Sequence, residues 1–129
     1  MSKDLDLKQR VLVSLYLEYQ KELPEMGSVS AELLETDRVR FRVAIAKLQN
    51  EGLINGSRVD IGHYVHTDGV MLTPKGLQYV EEVIGIKPTM SASEKVKEVG
   101  KKAASWGYNE IKDFSAKVLG EVISKTVNN

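Results

Sequence analysis

Between Thr36 and Ile54 the chain reads TDRVRFRVAIAKLQNEGLI, and no other stretch limits its possible folds as tightly. Phe41, Ala44, Ile45 and Leu48 recur at helical spacing and share one face. At about 100° per residue, Val39, Val43, Ala46 and Asn50 fall on the opposite face. Arg38, Arg42 and Gln49 flank that outer strip on one side, Arg40 and Lys47 on the other. Thr36 or Asp37 can accept backbone N–H bonds at the start. Gly52 can take the left-handed conformation that ends a helix, which brings Leu53 back over Leu48. The stretch predicts a helix over Asp37–Glu51 with an apolar inner face and a cation-edged outer one.

The flanking segments give this helix a setting. Leu5, Leu12, Leu15, Tyr19 and Leu23 predict a first helix over Asp4–Leu23, with Lys8, Glu18 and Glu22 off its apolar stripe and Pro24 and Gly27 ending it. Ser28 or Ser30 then caps a short helix, Ala31–Glu35, with Val29, Leu33 and Leu34 as its buried side. A short helix, a tight turn and a longer amphipathic helix form the helix-turn-helix pattern. Leu53–Ile61 and Val65–Thr73 read as two strands, with turns supplied by Gly62 and the Gly69 region. Thr73-Pro74 starts a further helix as a capping hydroxyl followed by proline at the first helical position. Gly85 and Pro88 end that helix. The expected fold is α+β: a winged helix-turn-helix domain over residues 1–86, built from three helices, a β-hairpin wing and a fourth helix.

Residues 87–129 read as a linker and a C-terminal amphipathic helix or kinked helix pair. Ser93 is the expected cap, with Glu94 in the first turn. Val96, Val99, Ala103 and Trp106 make one stripe; Ile111, Phe114, Val118 and Val122 make a second, rotated from the first. Gly107 falls at the break, because glycine is poor in a helix interior. The bland reading of this tail is a packing arm. A basic amphipathic helix lying on a membrane surface, with Trp106 and Phe114 inserted, is a second reading, and docking on another protein is a third.

Two stretches carry a family resemblance. AIAKLQNEGLINGS, residues 44–57, and MLTPKGLQYVEEV, residues 71–83, resemble small winged-helix proteins of bacteria and their prophages, of the YjcQ-like type. The second is similar to a recurring LTxxGxxYL strand-to-helix junction, with Val80 at the final leucine. The tail is similar to the C-terminal helices that follow the wing in a related family. The resemblance implies a winged-helix fold, a mobile-element setting and a regulatory role.

Charge bears on which partner fits. The 129 residues carry 18 Lys/Arg and 18 Asp/Glu, so no global positive field attracts nucleic acid. Any DNA contact must use a local patch, and the outer face of the Asp37–Glu51 helix is the one available. In this reading Arg38, Arg40, Arg42, Lys47 and Gln49 contact duplex DNA in the major groove, with Val39 and Val43 against base edges. Arg58 and Lys75 add phosphate or minor-groove contacts. The expected regulator is a homodimer that pairs through its first helix, its tail, or both. The competing readings are a solvated charged face and a protein-contact surface, the latter for a host protein partner.

No cofactor, metal or catalytic residue is expected. Cysteine is absent, which excludes thiolate chemistry and Cys-type zinc sites. His63 and His66, with Asp60 and Asp68, fall short of a metal-ligand signature. Neither a nucleophile elbow nor a phosphate-cradling glycine loop occurs, so an enzyme is not expected. The segment MSKDLDLKQR has no apolar core of a signal peptide, and a cytoplasmic location is expected.

Overall fold

The computed structural model describes residues 4–127. It is α+β. Helix α1 (Leu7–Tyr19) is followed by a 3₁₀ turn (Met26–Ser28) and α2 (Arg38–Asn50). A hairpin follows, built from β1 (Ile54–Asn55), β2 (Arg58–Val59), β3 (Val65–His66) and β4 (Met71–Leu72). Helices α3 (Pro74–Ile84), α4 (Ala92–Trp106) and α5 (Asn109–Val127) complete the chain.

Asp6 starts α1 through a capping box: its carboxylate accepts the Gln9 N–H, and the Gln9 side chain accepts the Asp6 N–H. Every residue from Val11 to Glu18 is buried, so α1 is a central helix enclosed on all sides rather than an amphipathic one. This corrects two expectations. The helix stops at Tyr19, and Leu23 is 69% exposed instead of extending the apolar stripe. Glu18 is fully buried. Its Oε1 accepts the Glu25 N–H at 2.7 Å and pairs with Lys21 at 2.8 Å, which turns the chain back before Pro24 can end the helix. Lys21 in turn bridges to Glu121 of α5.

The short helix expected at Ala31–Glu35 is a single hydrogen-bonded turn. The Ser30 hydroxyl accepts the Leu33 N–H, and Glu35 adopts φ 53°, a left-handed conformation that stops propagation. Val29 and Leu34 are buried, as the sequence indicated, while Leu33 is only half-buried. Helix α2 matches the expected span to within a residue at each end. Asp37 caps it through the Arg40 N–H at 2.7 Å, and Gly52, at φ 75°, lets the Leu53 N–H reach the Leu48 carbonyl.

The two expected strands are broken into short ladders. Ile54 pairs with Leu72 and Asn55 with Met71; Arg58 pairs with His66 and Val59 with Val65. Residues 56–57 on one strand therefore oppose 67–70 on the other. Gly56 occupies φ 88° there, and a Cβ would lie 2.2 Å from the Gly69 carbonyl oxygen, so backbone passes backbone too closely for a side chain. The buried Thr67 hydroxyl lies 3.2 Å from the Met26 and Val29 carbonyl oxygens, which pins the hairpin to the 3₁₀ turn.

The junction into α3 is a compact lock. Thr73 donates its N–H to the Leu53 carbonyl at 3.1 Å and its hydroxyl to the Gly52 carbonyl at 2.6 Å, and that hydroxyl accepts the Gly76 N–H at 3.0 Å. Pro74 then occupies the first helical position. Gly85, at φ 85°, ends α3.

Ser91, not Ser93, caps α4, because its hydroxyl sits one turn before Glu94, whose carboxylate returns the bond. Gly107, at φ 86°, separates α4 from α5. The two helices pack on each other and both reach α1. Their crossing is close at Gly100, where a Cβ would stand 2.4 Å from the Ser115 hydroxyl. Both expected stripes are buried save the half-buried Trp106, and one hydrophobic cluster runs from Val11 to Val122. Polar ties fasten the tail. The Tyr108 hydroxyl accepts the Leu5 N–H at 2.7 Å, and Arg10 pairs with Glu110 at 3.5 Å. Glu81 of α3 takes the Tyr16 hydroxyl at 2.9 Å and Lys95 of α4 at 3.1 Å. Helix α1 and both tail stripes thus pack within one chain. No described helix is long and apolar enough to cross a membrane.

Candidate nucleic-acid interface

With Phe41, Ala44, Ile45 and Leu48 in the core, α2 turns its other face outward. Val39 is 54% and Val43 42% exposed, with Ala46 and Asn50 exposed further along, so the tail does not cover the strip. The cations beside it are held at different strengths. The Arg40 guanidinium pairs with the Asp37 carboxylate, its own helix cap, and Lys47 is exposed. The Arg40 N–H and the Arg40 guanidinium hold the Asp37 carboxyl below its usual range.

Arg38 and Arg42 join the helix to the hairpin tip. The Arg38 guanidinium lies 4.1 Å from the Tyr64 ring centroid, a cation–π stack. Arg42 donates from Nη1 to the His63 carbonyl at 3.4 Å. An open cleft of about 390 Å³ lies beneath, lined by Val29, Ser30, Thr36, Arg38, Phe41 and Val65 among others.

The remaining sequence candidates are placed differently. Gln49 turns its amide oxygen to the hairpin, where it accepts the Ser57 N–H at 3.0 Å and hydroxyl at 2.6 Å at the surface, so this oxygen holds the hairpin break. Lys75 donates to the Glu51 carbonyl at 3.1 Å, at the negative end of α2. Arg58 stands 3.7 Å from Asp68, both largely exposed, a weak pair that leaves its charge available.

The sequence singled out Asp60, His63 and His66 at the hairpin tip, but not how Asp60 closes it. Asp60 accepts the N–H groups of Gly62 and Tyr64 and pairs with His66 Nε2 at 2.9 Å. The His66 bond and the two N–H groups hold the Asp60 carboxyl below its usual range. Ile61 beside it is 99% exposed. An Asp followed two residues later by Gly was the available signal, since it marks a side-chain-closed turn that aims its neighbours outward. The histidines gather no ligand set: His66 pairs with Asp60, Asp68 with Arg58, and no group of three metal-ligating residues occurs among the described residues.

No family model, no curated protein and no solved structure matches the chain.

Proposed function

We propose that the chain is a non-enzymatic, DNA-binding winged-helix protein, a transcription regulator of the phage or mobile-element type that places α2 in the major groove. In this reading α1, the Ser30-capped turn and α2 form the helix-turn-helix, the β2–β3 hairpin is the wing, and α3 closes the domain. The YjcQ-like resemblance of residues 44–57 and 71–83 agrees with that assignment. The observation that carries it is the open outer face of α2. Val39 and Val43 are exposed for thymine methyls or base edges, while Arg38, Arg40, Arg42 and Lys47 edge them for guanine or phosphate. The anchoring of the wing tip by Arg38 and Arg42 supports it, because an interface held rigid before binding loses less entropy on contact.

The test is duplex binding measured by fluorescence anisotropy at several salt concentrations. Arg38→Ala and Arg42→Ala should each weaken binding and flatten the salt slope by about one unit where a phosphate contact is lost. Unchanged affinity in both variants, with circular dichroism intact, refutes the reading. The same exposed strip would serve a protein partner, the reading favoured by the balanced net charge. A complex with host protein that survives nuclease and high salt would select it.

A further inference from the structure

We propose that Ile61 is a wedge residue: it enters the minor groove of bound duplex DNA and parts a base step, so that the chain bends the DNA it holds. This rests on the DNA reading above and adds to it a deformation of the partner.

At 99% exposure Ile61 is the most exposed large apolar side chain among the described residues. Its backbone is not loose. The Asp60 N–H donates to the Tyr64 carbonyl and the His63 N–H to the Asp60 carbonyl, both at 3.0 Å. The Asp60 carboxylate closes the turn from within through Gly62, Tyr64 and His66, and His63 is held at φ 65°. A turn fixed in this way projects Ile61 beside the exposed His63 and Tyr64, and it ties up the surface carboxylate of Asp60 in bonds to Gly62, Tyr64 and His66.

The charges around the tip suit a polyanion. Arg58 lies on the strand leading in, and Arg38 and Arg42 bind the far side of the turn to α2. Asp68, also exposed on this hairpin, lies 3.7 Å from Arg58. An apolar tip carried between cations matches architectural proteins that insert Leu, Ile or Met between base steps and kink the duplex by roughly 20–90°. A protein pocket for the tip would need acids facing these arginines as well as an apolar hole. With α2 in the major groove and the tip fastened to α2, the adjacent minor groove, about 6 Å wide, is within the hairpin's reach.

The experiment uses the full chain and a duplex of about 30 base pairs rich in TA steps, the steps most easily unstacked. It carries 2-aminopurine at those steps and a dye pair at its ends. Anisotropy reports binding, 2-aminopurine emission reports unstacking and energy transfer reports bending, all on one sample. Binding of the natural sequence should raise both emission and transfer. Ile61→Ala should bind within about threefold of it yet lose at least half of both signals, and Ile61→Met should restore them. Binding without either signal, or Ile61→Ala with both unchanged, overturns the wedge and leaves the DNA reading standing. Absence of duplex binding overturns both.

Discussion

Gly76→Ala separates two opposed effects at one position. Gly76 lies in the first turn of α3, where alanine would ordinarily be preferred by up to about 1 kcal/mol. Here a Cβ would stand 2.0 Å from the Leu53 carbonyl oxygen and 3.0 Å from its carbon. An ordinary carbon–oxygen contact is about 3.3 Å or more, so the backbones must part by over about 1 Å. That separation breaks the Thr73 bonds to the Leu53 and Gly52 carbonyls, at about 1 kcal/mol each. The forced repacking adds about 1–3 kcal/mol. The steric term wins, and the net loss is about 3 kcal/mol once the helix preference of alanine is subtracted. With an unfolding entropy of about 2.1 cal/mol/K per residue over 129 residues, the Tm should fall by about 11 °C. Gly120→Ala in α5 is the control, since a Cβ there meets nothing within 4 Å. It should raise the Tm by about 3 °C. Thermal melts followed by circular dichroism decide the matter. A Gly76→Ala protein melting within about 3 °C of the natural one, or shifted in the same direction as Gly120→Ala, refutes the close-approach reasoning.

Tyr16→Phe leaves Glu81 paired with Lys95 and removes one buried bond, so urea unfolding should show a loss of about 1–1.5 kcal/mol, and an unchanged midpoint would count against the tie. Burial and the bond to Glu81 push the Tyr16 hydroxyl far above its ordinary 10.0. The Lys21 ammonium, whose own burial pulls the other way, is raised from 10.5 by Glu121 and Glu18. Folded values above unfolded ones mean that this stability is complete below about pH 10 and lost as pH rises beyond it. The urea midpoint should therefore hold from neutrality to pH 9 and drop above pH 10. On the acid side, the Asp37, Asp60 and Glu94 carboxyls are lowered, so their contribution is present above about pH 4 and disappears as pH falls; all three are at the surface, and added salt should blunt the effect. Gln49→Ala should speed hydrogen exchange at the Ser57 amide about tenfold while leaving the global midpoint within about 0.5 kcal/mol, and protection surviving at Ser57 would contradict the role assigned to the Gln49 oxygen.

Local rules were legible in the sequence. Asp37, Thr73-Pro74, Gly52, Gly85 and Gly107 act through their own neighbours, and each sits where its chemistry suggested. The two faces of α2 followed from spacing alone. What stayed hidden depends on partners distant in the chain. Glu18 reads as a solvated acid until Lys21 and the covering α5 are known. The run Val11–Leu17 is apolar but for Ser14, a sign of enclosure, yet a stripe could be chosen from it, and that choice carried the helix on to Leu23. The strand break depends on Gly56 meeting Gly69 and on Gln49 reaching Ser57, contacts with no local periodicity. In the candidate interface, composition indicated the cations and missed the anchoring, since stacking of Arg38 on Tyr64 needs the hairpin folded back on α2.

The enclosure of α1 has a practical result. A helix gripped by α2 and α3 as well as by α4 and α5 ties the fate of the exposed face to that of the C-terminal hairpin. The single tryptophan of the chain, Trp106, sits at the end of α4, remote in sequence from α2. Its emission is thus a built-in, label-free gauge for every substitution made on the outer face of α2: a variant that keeps the natural fluorescence melt has kept its scaffold, and whatever affinity it has lost was lost at the surface.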